Sequence, residues 1–212
     1  MLLVKIFTFS PLAENTYIIH NEDKEALIID PGCYSKAEQE TLKSFIEKNE
    51  LNPVQLFNTH CHLDHVFGNK WIYENYHLEL FLHPDEEIVL KFAPQFAQMW
   101  GLNFENYEGP FHFLQHHDLV QFGTSKFQVL LCPGHSPGSI CFYNEEQKFV
   151  IGGDVLFRES IGRTDLPGGS HQTLLESIRQ QIFVLPDDVI VYPGHGEPTT
   201  IGYEKKNNPF LK

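Results

Sequence analysis

The 212-residue sequence lacks any apolar run long enough to cross a membrane, and it is poor in basic residues. A transmembrane helix needs about 20 consecutive, predominantly apolar residues. Only 15 lysines and arginines stand against 28 aspartates and glutamates, which gives a formal net charge of −13 at pH 7. A nucleic-acid interface needs a basic patch, which this balance does not favour. We therefore predict neither a membrane span nor a nucleic-acid partner.

Cysteine is also sparse, and its spacing does not indicate a disulfide scaffold. The four cysteines are Cys33, Cys61, Cys132 and Cys141. They form no C-x-x-C pair and do not have the close spacing of small, disulfide-rich secreted domains. We therefore predict reduced thiols and a cytoplasmic location. By contrast, 12 histidines are many for this length and are a first indication of metal binding.

No linker or low-complexity segment divides the chain, so we predict one domain that spans residues 1–212. The N-terminal apolar segment is short, contains Lys5 and follows no basic stretch. We predict that it forms a first strand and not a secretory signal. The strands predicted in the first part of the chain are 2–9, 15–20, 25–30 and 54–58.

Helix start signals precede buried strands in both halves of the sequence. Ser35 and Glu38 fit a capping box that opens a helix, and the buried strand 54–58 follows. In the second half Ser170 opens a predicted helix, and a further buried strand then runs into His195. Alternating helices and strands predict an α/β architecture, in which functional residues gather in the loops at strand ends.

The strongest feature of the sequence is the heptapeptide T-H-C-H-L-D-H. Residues two apart in an extended segment point the same way, so His60, His62 and Asp64 can line one side. His65 then lies at the start of a helix predicted over Asp64–Tyr76. Imidazole and carboxylate ligands together suit zinc, iron or manganese. Four such groups within six residues predict a metal site.

Three further segments each place one possible ligand after a predicted strand. His135 lies in the loop P-G-H-S-P-G after the strand Phe127–Leu131, and Asp154 follows two glycines after the strand Phe149–Ile151. His195 lies in P-G-H-G after the last buried strand. Each segment alone is weak, but their order behind H-x-H-x-D-H makes a specific pattern.

This order of motifs resembles the metallo-β-lactamase superfamily over nearly the whole chain. The resemblance implies an α/β (α+β) fold, a four-layer αββα sandwich with metals at one edge of the sheets. It also implies two divalent transition-metal ions, zinc in the first place and iron or manganese as alternatives. The implied ligands are His60, His62, His135 and Asp154 for one ion, and Asp64, His65, His195 and Asp154 for the other.

Two stretches, residues 153–169 and 192–211, resemble the short glyoxalase II-like branch, the hydroxyacylglutathione hydrolases without a helical C-terminal domain. Few residues follow His195, so we expect no such domain here. The implied activity is hydrolysis of a small-molecule thioester by a metal-bound hydroxide that Asp64 and Asp154 orient. A leaving thiolate, whose thiol has a pKa near 8.5, needs little help from a general acid.

Arg163 takes the place of a lysine that helps hold glutathione in the long glyoxalase II enzymes. Its planar guanidinium suits a carboxylate, so we predict that Arg163 binds the substrate, with a structural ion pair as the alternative. Two further glutathione-binding positions, tyrosines in the long enzymes, are Asp165 and Glu197 here. The sequence therefore departs from the long enzymes at these glutathione-binding positions.

Metal-dependent hydrolysis of other small acyl substrates is an alternative at the same site, and two further functions compete with hydrolysis. A persulfide dioxygenase shares H-x-H-x-D-H and a G-R-T-D stretch, and it would use one iron held by His60, His135 and Asp154. A metal-binding interaction module without catalysis is the third possibility. True β-lactamases lack a bridging aspartate at the position of Asp154 and are disfavoured. Outside the motifs, we predict a polar loop for His116 and His117. For Cys61 we predict a packing role.

Overall fold

The computed structural model describes all residues from 1 to 212. Residue contacts divide the chain into two compact units. The first consists of Met1–Leu82 and Glu87–Phe113, and the second of His83–Glu86 and Leu114–Lys212. Each unit contains one six-stranded sheet. None of the helices combines the length and the hydrophobicity that a membrane crossing requires. That residues 1–212 form a single domain stays a prediction.

The sheet of the first unit has the strand order β1-β2-β3-β4-β5-β6. Its strands are β1 (Leu3–Phe9), β2 (Glu14–His20), β3 (Glu25–Ile29), β4 (Asn52–Phe57), β5 (Leu80–Leu82) and β6 (Phe111–Phe113). Strands β1, β2 and β3 are antiparallel neighbours, whereas β3, β4, β5 and β6 are parallel. The four strands predicted here are confirmed, with ends that differ by at most two residues. Because β3 and β4 are parallel, the residues that follow them lie at the same edge of the sheet.

The helices of the first unit are α1 (Lys36–Lys48), α2 (Leu63–Val66), α3 (Asn69–Tyr76) and α4 (Glu87–Met99). The predicted capping box is confirmed at the start of α1, where the Ser35 hydroxyl accepts from the backbone N–H of Glu38 and the Glu38 carboxylate accepts from that of Ser35. The apolar face of α1 buries Leu42 and Ile46 in the same core as Ile28 of the sheet.

The helix predicted over Asp64–Tyr76 is wrong as one continuous element, because the chain forms α2 and α3 instead. The interruption falls at Gly68, whose N–H donates to the carbonyl of Pro31 at 2.6 Å. A Cβ on Gly68 would lie 2.5 Å from Sγ of Cys33. The tight contact with a distant segment thus breaks a helix that the local sequence favours.

The sheet of the second unit has the order β14-β13-β10-β9-β8-β7. Its strands are β7 (Leu119–Phe122), β8 (Ser125–Leu131), β9 (Ile140–Asn144), β10 (Phe149–Gly153), β13 (Ile190–Pro193) and β14 (Thr199–Thr200), and a separate hairpin is formed by β11 (Leu156–Phe157) and β12 (Ser160–Ile161). Strand β9 is antiparallel to both β8 and β10, and β10 is parallel to β13. Strands β8, β10 and β13 therefore run in one direction and end at the same edge.

Two α-helices complete the second unit, α5 (His171–Ser177) and α6 (Ile201–Asn207). The predicted cap is confirmed, since the Ser170 hydroxyl accepts from the N–H of Thr173. A π-helical turn, Ile178–Ile182, continues α5, and its isoleucines pack with Leu174 in the core of the unit. Residues Pro84–Glu86 form a short 3₁₀ turn that belongs to this unit.

Candidate metal ligands in the two units

Three histidines of the H-x-H-x-D-H motif come together at the end of β4. The ring centroid of His60 lies 4.8 Å from that of His62 and 4.0 Å from that of His65. His60 and His65 are fully buried, whereas His62 and Asp64 are half-buried at the start of α2. The extended segment predicted through Asp64 is wrong at its end, because the chain turns into α2 at Leu63 and Asp64 lies in the first turn of that helix.

Asp30, which directly follows β3, organises this histidine group. Its Oδ2 lies 3.0 Å from Nδ1 of His65, and its Oδ1 accepts from the backbone N–H of Thr59 at 2.7 Å. A carboxylate can only accept, so Nδ1 of His65 is the protonated nitrogen. The lone pair of this ring then resides on Nε2, the atom that a metal would bind.

Thr59 links Asp30 to His60 and so fixes the tautomer of that ring as well. The Thr59 hydroxyl donates to Oδ2 of Asp30 at 2.6 Å and lies 3.1 Å from Nδ1 of His60. Since its hydrogen is committed to the carboxylate, the hydroxyl accepts from Nδ1 of His60. One buried aspartate therefore fixes the tautomers of two motif histidines, and both rings keep their lone pair on Nε2.

Glu14 on β2 is a second buried carboxyl beside His65. Its Oε1 lies 3.9 Å from Nδ1 of His65, and its Oε2 accepts from the Thr16 hydroxyl at 3.0 Å. Burial raises the pKa of Glu14 well above its ordinary value, and the neighbouring His65 only partly opposes this effect. Glu14 therefore favours the neutral acid more than an exposed glutamate does.

Three predicted ligands of the second unit meet at one carboxylate oxygen. Oδ2 of Asp154 lies 3.4 Å from Nε2 of His135 and 3.6 Å from Nε2 of His195. These residues follow β10, β8 and β13, which end at the same edge of the sheet. The separations exceed those of charge-assisted hydrogen bonds, about 2.7–2.9 Å. They are close to the ~3.3 Å between two ligands that bind a tetrahedral ion at ~2.0–2.1 Å. The donor set fits a transition-metal ion.

The backbone of the G-R-T-D stretch orients His135. Nδ1 of His135 lies 2.7 Å from the carbonyl oxygen of Arg163, which can only accept. Nδ1 is therefore protonated, and Nε2 faces Asp154 with its lone pair. A Cβ on Gly162 would lie 1.9 Å from the carbonyl oxygen of Asp154 and 3.0 Å from Nδ1 of His135. Only glycine allows this close approach.

The side chain of Arg163 is paired within the chain. Its Nε and Nη2 donate to the two carboxylate oxygens of Asp165 at 2.7 and 2.8 Å, and both side chains are exposed. The hydrogen bond with Arg163 lowers the pKa of Asp165 to about 2. The alternative considered for Arg163, an ion pair, is therefore present, and a substrate contact stays a prediction. Glu197 lies two residues after His195 and is exposed.

Two predictions about other residues are confirmed. His116 accepts from the backbone N–H of Leu131 at 3.1 Å, and Nδ1 of His117 lies 3.0 Å from the Gln128 amide, as expected for a polar loop. Cys61 is fully buried in the core of the first unit, as expected for packing. Asp30 is a residue that the sequence analysis missed, although its position after a buried strand matched that of the predicted ligands.

A family model described as the metallo-β-lactamase superfamily matches residues 10–195. The chain belongs to this superfamily, and its predicted fold class is confirmed. By family it is a metal-dependent hydrolase, and its units contain the grouped histidines and carboxylates that metal binding requires.

Individual relatives cover almost the whole chain. The chain is 38% identical to the hydroxyacylglutathione hydrolase GloC of Haemophilus influenzae. The 210 aligned residues cover 98% of this chain and 97% of that protein. The crystal structure of the BLEG-1 B3 metallo-β-lactamase matches with a TM-score of 0.91 and 37% identity, covering 99% of this chain and 100% of that one. The structure of TTHA1623 in a di-iron-bound form matches with a TM-score of 0.89 and 38% identity, covering 98% and 100%.

Proposed function

We propose that this chain is a binuclear metal-dependent thioester hydrolase of the hydroxyacylglutathione hydrolase type. Its substrates would be S-2-hydroxyacylglutathiones such as S-lactoylglutathione, and its products glutathione and a 2-hydroxy acid such as D-lactate. The near full-length similarity to GloC carries the proposal, because both chains are covered almost completely. Location in the cytoplasm remains a prediction alongside it.

The proposed ligands follow the family pattern. They are His60, His62, His135 and Asp154 for one ion, and Asp64, His65, His195 and Asp154 for the other. The tautomers set by Asp30 and by the Arg163 carbonyl support this assignment, since they direct Nε2 of each oriented ring to a ligand role. Zinc is the proposed metal, and the di-iron form of TTHA1623 makes iron the main alternative.

Metal ions held by these residues would lower the pKa of a water to about 7 and would polarise the substrate carbonyl. The chain contributes orientation. Asp154 and Asp64 accept hydrogen bonds from the attacking water and direct its lone pair toward the thioester carbonyl. Asp30 holds the ring of His65 and Thr59 holds that of His60, each through Nδ1, which fixes the orientation of both rings. The thiolate leaves without a dedicated acid, because the pKa of a thiol is near 8.5.

The proposal is tested with purified protein that has been stripped of metal and reloaded with zinc. S-lactoylglutathione is supplied, and released glutathione is followed with a thiol reagent. We expect thiol release that disappears on chelation and returns when zinc is restored. Elemental analysis of the same samples should give close to two ions per chain. A stable content near one ion, with oxygen uptake on glutathione persulfide, would favour the dioxygenase instead.

β-Lactam hydrolysis is a second candidate, because the chain is similar over nearly its full length to a protein named as a B3 metallo-β-lactamase. The assay therefore includes a chromogenic cephalosporin at the same enzyme concentration. Opening of that ring with negligible thiol release would replace the thioesterase proposal. Release of thiol from other acyl thioesters, but not from S-lactoylglutathione, would retain the chemistry and remove glutathione as the carrier.

A further inference from the structure

Glu86 is a fully buried carboxylate that no sequence motif marks. It ends the 3₁₀ turn of the second unit, and none of its surface is exposed. Its Oε1 accepts from the Ser136 hydroxyl at 2.5 Å and from the backbone N–H of Gly138 at 2.8 Å. Both donors belong to the loop that carries His135. A buried acid thus binds the chain directly after a proposed metal ligand.

Burial of a carboxylate is unfavourable unless hydrogen bonds replace its hydration. An apolar side chain of similar size would fill the position at lower cost, but it would leave the hydroxyl of Ser136 and the N–H of Gly138 without this acceptor. The glycine is itself in close contact, since a Cβ there would lie 3.0 Å from Cγ of Glu86 and 2.7 Å from Nδ1 of His83. Glu86 therefore contacts the backbone of the loop directly, at Gly138.

Other contacts anchor the first part of the loop. The carbonyl of Gly134 accepts from the N–H of Ser170 at 2.7 Å, and the carbonyl of Pro133 accepts from the Ser177 hydroxyl at 2.7 Å. These bonds tie the residues before His135 to α5. Glu86 holds the residues after it. The segments before and after His135 are therefore both anchored, and Glu86 holds the one that follows it.

We propose that Glu86 is a positioning residue that holds the His135 loop in its metal-binding conformation and thereby sets the metal affinity. The inference rests on the proposed function, in which His135 is a ligand. Glu86 acts through Ser136 and Gly138, so its removal changes where Nε2 of His135 lies. Glutamine at position 86 retains a carbonyl oxygen that can accept both bonds, whereas alanine retains none.

The test compares Glu86→Ala, Glu86→Gln and the wild type by zinc competition with a chelator. The absorption spectrum of the cobalt(II)-substituted protein reports ligand geometry in the same samples. We expect Glu86→Ala to lower metal affinity by on the order of 10–100-fold and to alter the cobalt spectrum. Glu86→Gln should restore most of both. The thermal unfolding midpoint of each metal-free protein records general destabilisation.

Asn144→Ala is the matched control, because Asn144 is buried at the end of β9 that lies away from the His135 loop. Its amide donates to the carbonyl of Lys126 and accepts from the backbone N–H of Gln147. It should lower the unfolding midpoint and leave zinc affinity unchanged. Wild-type affinity in Glu86→Ala, no rescue by Glu86→Gln, or an equal loss in Asn144→Ala would each overturn the inference. If Glu86→Ala does not fold, Ser136→Ala replaces it with the same expectation. A wild type that binds no zinc would instead refute the proposed function on which the inference rests.

Discussion

Oδ2 of Asp30 lies 3.0 Å from Nδ1 of His65, and both side chains are buried. Asp30→Asn replaces a carboxylate, whose two oxygens accept from the Asn58 amide, the Thr59 N–H and hydroxyl, and His65, by an amide with one acceptor oxygen. We expect zinc affinity to fall by on the order of 10–100-fold, because the motif histidines lose their fixed tautomer and orientation. Chelator competition measures the affinity, and thermal unfolding of the metal-free protein measures the accompanying loss of stability.

Glu204→Gln is the control for Asp30→Asn. Glu204 is also a fully buried acid, and it accepts from the N–H of Glu159, the Thr199 hydroxyl and the Asn208 amide. The substitution should destabilise the second unit without changing zinc affinity. If both variants lose affinity equally, the role assigned to Asp30 is no more than general support of the fold.

Gly162→Ala should disrupt the ligands of the second unit. The added Cβ would lie 1.9 Å from the carbonyl of Asp154, so the backbone has to move. We expect bound zinc to fall below two ions per chain and activity to drop by orders of magnitude. Gly152→Ala is the control, since its nearest neighbour would be a Val191 methyl at 3.4 Å. Normal zinc content in Gly162→Ala would show that the backbone around Gly162 and Asp154 can move without loss of metal binding.

Asp154→Ala tests the proposed bridging role directly. Oδ2 of Asp154 lies within 3.6 Å of two imidazole nitrogens, so its loss should weaken both proposed metal sites. We expect activity to fall by orders of magnitude, with less zinc retained on gel filtration. His117→Ala should behave like the wild type, because His117 is in a polar loop beside Gln128. Two retained ions with most of the activity would show that the aspartate does not bridge.

The sequence predicted local motifs, and the order of those motifs pointed to His135, Asp154 and His195, but it missed residues outside any motif whose partners are distant along the chain. The H-x-H-x-D-H motif and the cap at Ser35 are local patterns and were recognised. Glu86 and Ser136 are 50 residues apart, and Asp30 and His65 are 35 apart. No local periodicity encodes such pairs. The break between α2 and α3 was missed for the same reason, because Gly68 bonds to Pro31.

The predicted thiol state is open to a direct measurement. All four cysteines are buried and none forms a disulfide, and burial raises the pKa of the Cys33 and Cys132 thiols. Since thiolates are the reactive form, we expect no prompt reaction of the native protein with Ellman's reagent. Four thiols should react in guanidinium chloride, one for each cysteine. Rapid labelling of the native protein would show that one of these sites opens readily.

Substitutions of Arg163 and Asp165 distinguish two roles of the Arg163 guanidinium, substrate binding and a structural ion pair. Arg163→Ala removes the guanidinium but keeps the backbone carbonyl that orients His135, so zinc content should remain at the wild-type value. If the guanidinium binds a substrate carboxylate equally in the ground and transition states, KM should rise while kcat is unchanged. Steady-state kinetics with S-lactoylglutathione separate the two parameters. An unchanged KM would leave Arg163 with the ion pair alone.

Asp165→Asn gives the reciprocal result. A substrate carboxylate has to compete with Asp165 for the guanidinium, so removal of that charge should lower KM if Arg163 binds substrate. The hydrogen bond with Arg163 depresses the pKa of Asp165 to about 2. A depressed carboxyl pKa means that the pair is fully present above the ordinary pKa of aspartate and is lost only as the pH falls through about 2. The effect of either substitution on KM should therefore be constant across the neutral pH range. A KM ratio between variant and wild type that changes near neutral pH would assign the effect to another titrating group.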